Sequence, residues 1–225
     1  LLREFGRNAE ALAVVNEALR LDPGSPDVLV MRGDIAAAHR VGYNPEAQYL
    51  EALRRDPTHA LAMHNLAVVR LRWGTLTRAV GGLITAARLD PTLGPSALDN
   101  IGVALMRVLR MATASVVFMF VAVSCVAAAH EDGLPTVIPR IAAAVLVAVL
   151  AYPIVWVLQT VPWPMLKAAL RQRRVLAVRI GFVSYAALVG LATVLTGSNP
   201  ATAIAGGVLL PAYIGLMWLG WLADR

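Results

Sequence analysis

An Asp-Pro pair closes three stretches of this chain at equal intervals. Ala18-Leu19-Arg20-Leu21-Asp22-Pro23 returns as Ala52-Leu53-Arg54-Arg55-Asp56-Pro57, and again as Ala86-Ala87-Arg88-Leu89-Asp90-Pro91. Pro23 and Pro57 are 34 residues apart, as are Pro57 and Pro91. A period of this length is that of a helix–turn–helix unit, which cannot bury its apolar face alone and stacks on copies of itself into a solenoid. Such a stack is a binding surface far more often than a catalyst.

Small residues recur in the same phase. Gly6 and Gly74 precede their prolines by 17 residues, at the turn between the two helices of a unit. Ala11 and Ala79 lie 12 before a proline, where the helices approach closely, and Ala18, Ala52 and Ala86 lie five before it. Gly33 and Ala67, ten after a proline, let the first helix sit against its neighbour. On these positions the first half resembles the tetratricopeptide repeat family. The second unit departs from the pattern, with Arg40 in place of the turn glycine and Gly42 two residues on. Its second helix is expected to open at Asn44-Pro45-Glu46, an N-cap followed by a first-turn proline, and to be slightly short. A fourth unit begins with Leu98-Asp99-Asn100-Ile101-Gly102, parallel to Met63-His64-Asn65-Leu66-Ala67 but 35 residues on. Its second helix is replaced by an apolar run after Arg110, so the last repeat helix is expected to continue into a membrane helix.

The resemblance implies that the first helix of each unit lines a groove for an extended or helical peptide. Transferred to this chain, the groove positions are Asp27, Val30 and Asp34 in the second unit, and His64, Asn65, Val68 and Arg72 in the third. Asp99, Val103 and Met106 belong to the last. Asn65 and Asn100 stand where asparagine is a common framework residue of the family, and that reading is preferred for them. The Lys and Arg pair by which chaperone-binding relatives clamp a peptide carboxylate has no counterpart: Val30, Asp34 and Ser96 stand there.

Charge divides the chain. Up to Arg110 there are 13 Arg and 11 acidic residues, but only seven basic and three acidic residues follow. The basic residues of the first half are matched by acids, so no face for nucleic acid is apparent. The lone Cys125 excludes an intrachain disulfide and a cysteine-based metal site. His59 and His64, five apart, fall on different faces of a helix and read, with His39, as surface histidines rather than ligands. Paired carboxylates, a Ser/His/Asp set and a phosphate loop are all missing, and no cofactor or enzymatic activity is expected.

Residues 111–129 carry no charge, enough for a bilayer core of about 30 Å. A polar connection, His130 to Pro135, precedes a second uncharged run, Ile141 to Leu166, and the 44 uncharged residues from Ile180 to Ala223 are divided by Thr196-Gly197-Ser198-Asn199-Pro200. Four transmembrane helices are expected, near 111–129, 141–161, 175–196 and 201–222. Pro153 and Pro211 are expected to kink the second and fourth. Pairs of small residues spaced by four, such as Ala186/Gly190, favour close packing.

Arg107 and Arg110 flank the first span, and Lys167, Arg171, Arg173 and Arg174 lie between the second and third, whereas the other two connections carry little basic charge. Both termini and the repeats are therefore expected on the cytoplasmic side. Trp163, Trp218 and Trp221 then fall at that interface. Pro164 to Arg174 reads as an amphipathic helix on the inner leaflet, with Leu166, Ala169 and Leu170 on one face and Lys167, Arg171 and Arg174 on another. Trp163, Lys167, Arg171, Arg173, Arg174 and Arg179 are the candidate contacts to anionic lipid, Arg179 as an anchor that snorkels to the headgroups.

The expected fold is all-α: a tetratricopeptide-like solenoid over residues 1–110, N-terminally incomplete because Leu1 falls just before an inter-helix turn, followed by a four-helix transmembrane bundle over residues 111–225. The expected function is a membrane-anchored scaffold, an accessory subunit in a bacterial inner membrane. It would recruit a cytoplasmic protein or peptide and dock it on other membrane subunits. A transporter, channel or membrane-enzyme subunit with regulatory repeats is the alternative, disfavoured because intramembrane chemistry leaves ionisable residues in the spans.

Overall fold

The computed structural model describes residues 8–39, 44–73 and 75–223, and among them there is no strand. Two compact units divide between Ala104 and Leu105. The first holds α1 (Asn8–Leu21), α2 (Pro26–His39), α3 (Pro45–Arg55), α4 (Ala60–Trp73), α5 (Leu76–Leu89) and the start of α6 (Gly94–Glu131). The turns proposed at Gly6, at Arg40 to Gly42 and at Gly74 lie outside the described residues.

The Asp-Pro pairs end three helices by one mechanism. The N–H groups of Asp22, Asp56 and Asp90 make the last helical bonds, to Ala18, Ala52 and Ala86 at 2.8, 2.9 and 2.9 Å. Proline then breaks the ladder, because it has no N–H and its ring clashes with the preceding turn. The aspartate carboxylate takes over as acceptor, for the N–H of Gly24 at 3.0 Å, Thr58 at 2.9 Å and Thr92 at 2.9 Å. Asn44 caps α3 through the N–H of Glu46, and Pro45 occupies its first turn, so α3 has 11 residues where α1 and α5 have 14.

Helix α5 buries one stripe, whereas α2 is buried on two sides, with Leu29 and Val30 in one core and Ile35 in another. On α5, Ala79, Val80, Leu83, Ile84 and Ala86 follow the helical spacing and are all buried. Leu29 and Val30 of α2, Tyr49 and Ala52 of α3, and Ala62 and Leu66 of α4 form one shared core. The small residues act as spacers: a Cβ on Gly33 would stand 2.5 Å from the Tyr49 ring, and one on Gly82 would be 3.1 Å from the Cβ of Ala67.

The second unit comprises the rest of α6, α7 (Val137–Thr160), α8 (Trp163–Gln172), α9 (Arg174–Thr196), α10 (Pro200–Gly207) and α11 (Leu209–Ala223). Four segments are long and apolar enough to cross a membrane: Pro91–Glu131, Val137–Thr160, Arg174–Thr196 and Pro200–Trp218. Val116, Met119 and Val123 of α6, Leu150 of α7, Val183 and Ala186 of α9, and Leu209 of α11 share one core. Gly190 sits where a Cβ would meet Met119 of α6 and Val147 of α7 within 3 Å. The surface is apolar as well, with Ile138 81% and Ile204 72% exposed, which is compatible with a membrane protein.

The fourth span, Pro200–Trp218, departs from regular helix only at Val208, which keeps a helical backbone at φ −77° and ψ −19° three residues before Pro211. Pro211 cannot bond to the carbonyl of Gly207, which accounts for this irregularity in the span that was expected to kink there. The Tyr185 hydroxyl donates to the carbonyl of Ala205 at 3.0 Å, just before the irregularity. Pro153, by contrast, is buried inside an unbroken α7.

Candidate functional site

The first helices of the repeats carry a polar knot. One oxygen of Asp34 (α2) accepts hydrogen bonds from the Tyr49 hydroxyl (α3) and the Asn65 side-chain amide (α4), each at 2.8 Å. Tyr49 is 2% exposed, and its ring fills the space left open at Gly33. Nearby, Arg32 donates to Gln48 at 2.8 Å, and Arg70 donates to Glu46 at 2.9 Å. Asp34 and Asn65 therefore tie three helices together, and the framework reading of Asn65 extends to Asp34. Tyr49 and Gln48 were not singled out from sequence, because a tyrosine on a second helix gives no sign of its partner one helix away.

Asp27 is exposed and accepts from His59 Nε2 at 2.9 Å. His59 Nδ1 accepts the N–H of Ala62 at 3.2 Å, which places the ring proton on Nε2 and occupies both nitrogens. His64 is not a surface histidine. It is 7% exposed, its Nδ1 has no partner among the described residues, and burial pushes its pKa below the usual imidazole value. His39 has no described side chain.

Val30 requires a correction as a groove residue: it is 2% exposed and belongs to the core with Leu29 and Tyr49. Val68 is half-buried, Arg72 and Asp99 are exposed, and Val103 is 50% exposed. Met106 is half-buried and lies beyond the division at Ala104. Two exposed apolar side chains were missed, Met31 and Leu61. Their signal was available, since Met31 precedes Asn65 by 34 residues and so occupies its repeat position.

The basic segment also differs from expectation. Its helix α8 stops at Gln172, Arg173 is extended at φ −128° and ψ 85°, and Arg174 already opens α9. Leu166 and Ala169 are buried, so this apolar face is covered by protein and not free for a leaflet. Trp163, Lys167, Arg171 and Arg174 are exposed and Arg173 is half-buried. Arg179 is the second correction. It is 7% exposed and donates to the buried Thr113 hydroxyl at 2.8 Å, so it links α9 to α6 and does not reach out as a surface anchor.

The repeat half is similar to tetratricopeptide-repeat proteins. Tetratricopeptide repeat protein 7B is 36% identical over 88 residues in Homo sapiens and 35% over 88 residues in Mus musculus, in each case 39% of this chain. A protein of Petunia hybrida described as a probable UDP-N-acetylglucosamine–peptide N-acetylglucosaminyltransferase SPINDLY is 27% identical over 97 residues, 43% of this chain. The chain covers about a tenth of the length of each of these relatives. No family model matches. The similarity supports a protein-interaction role for tetratricopeptide-like repeats, and more than half of the chain lies outside the matched stretches.

Proposed function

We propose that this chain is a membrane-anchored scaffold without catalysis of its own. Its repeats recruit a cytoplasmic protein or peptide, and its apolar helices hold the complex at a bilayer and dock it on other membrane subunits. The observation that carries this reading is the state of the first helices. Met31, Leu61, Arg72 and Val103 are exposed on successive units, and Arg72 has no ion-pair partner among the described residues. Exposed apolar groups and a cation on these helices suit a peptide with an apolar anchor and an acidic residue.

The second support is the unit that follows. Its four membrane-length segments present apolar side chains outward, and the Lys and Arg residues that flank them favour both termini on the cytoplasmic side. Affinity purification of the full chain in mild detergent tests the reading. A specific protein partner is expected to co-purify and to be lost from Leu61→Asp/Arg72→Glu/Val103→Asp, which spares the Asp34 knot. Retention of the same partner by that variant, or purification of the chain alone, would overturn the proposal.

A further inference from the structure

Helix α8 joins α7 to α9, two segments long enough to cross a bilayer, so in a membrane it lies at the depth of the headgroups. Its apolar side is already used: Leu166 is 3% and Ala169 1% exposed. The side left open carries Trp163, Lys167 and Arg171 at intervals of four residues, one above the other along the helix. Lys167 Nζ stands 5.2 Å from the centre of the Trp163 ring, and the indole itself is 58% exposed. Neither Lys167 nor Arg171 has an acidic partner among the described residues, and exposed Arg174 opens the next helix just past the corner at Arg173.

We propose that Trp163, Lys167 and Arg171 form a docking row for the headgroups of anionic phospholipids. Topology alone would require basic residues in this connection, but not their alignment with an indole on the one open face of a helix whose other face is packed. The row is complementary in charge to lipid phosphates, and the indole suits the boundary between headgroup and acyl chain. Because the apolar side of α8 is buried in protein, the cations are presented from a fixed support and do not depend on the helix sinking into the leaflet. The proposal rests on the membrane reading above.

The test uses the full chain reconstituted into vesicles of phosphatidylcholine alone or mixed with phosphatidylglycerol, with brominated chains on one lipid at a time. Tryptophan quenching is read for the native chain and for Trp163→Phe, so that the difference isolates Trp163. Preference for the brominated anionic lipid is expected, falling roughly thirtyfold in Lys167→Gln/Arg171→Gln, since each of the two cations contributes on the order of 1 kcal/mol near an anionic surface. Lys167→Arg/Arg171→Lys should keep the preference, and about 1 M salt should weaken it. Equal quenching by both lipids in the native chain, or an unchanged preference in the glutamine variant, overturns the docking row while co-flotation with the vesicles still upholds the membrane reading. Failure to float with either vesicle overturns both. Helical circular dichroism of the variants, whose altered side chains are exposed, confirms that they fold.

Discussion

At the scale of single residues, the polar contacts of the repeats are the most sensitive points. Asp34→Ala removes the acceptor shared by the buried Tyr49 hydroxyl and the Asn65 amide. A loss of about 2 kcal/mol is expected, against about 1 kcal/mol for Tyr49→Phe, which removes only one donor. Chemical unfolding of the full chain in detergent, followed by hydrogen exchange of α2 to α4, measures both. If Asp34→Ala left exchange unchanged, the knot would have no role in holding the three helices.

The turn aspartates give the repeats a definite pH dependence. The Thr58 side chain and N–H hold Asp56 below its usual carboxylate pKa, and Thr92 does the same for Asp90. A carboxyl whose folded pKa is depressed contributes stability above its unfolded pKa, and that contribution is lost as pH falls through the folded value. His64 acts earlier on the way down. Its pKa is lowered by burial, so the unfolded state binds the proton first and stability declines as pH drops below about 6.5. Exchange protection of the repeats is therefore expected to weaken in two stages, near mildly acidic pH and again below about pH 4. The earlier stage should vanish in His64→Leu and the later one should persist.

At the scale of elements, helix ends in the apolar unit are satisfied by side chains from other helices. Arg140 near the start of α7 donates to the last-turn carbonyls of α9, from Nε to Val194 at 3.1 Å and also to Leu195 at 3.3 Å. Gly197 then takes φ +74°, and Asn199 and Thr202 form a reciprocal capping box at the start of α10. Arg140→Gln is expected to destabilise the α9 terminus by about 1 kcal/mol, read as faster exchange at residues 194–197. The irregularity ahead of Pro211 is a separate feature. Pro211→Ala should restore a helical bond to Gly207 and slow amide exchange around Val208, and Tyr185→Phe should speed it, because the Ala205 carbonyl loses its donor.

At the scale of the whole molecule, the two units divide the work in the proposed scaffold. Deleting residues 1–95 is expected to abolish capture of a cytoplasmic partner while leaving vesicle co-flotation intact, with both read by pull-down and flotation of the same preparation. Survival of the complex in that deletion would move the binding role to the apolar helices.

The sequence alone determined what is periodic and what is local. A 34-residue interval, an Asp-Pro stop and an uncharged run long enough for a bilayer are properties of neighbouring residues, and they carried the helical fold and the number of membrane-length segments. The N-cap at Asn44 and the short α3 were legible for the same reason. Only the tertiary structure decided which face of each helix is used, because that depends on a partner far along the chain. Val30 entered the core, Asp34 met Tyr49 and Asn65, and His64 was buried. Arg179 found Thr113, 66 residues away, and α8 buried its apolar face, leaving its cations exposed. Periodicity shows that a helix has two faces, but packing against remote elements selects the one left open for a partner.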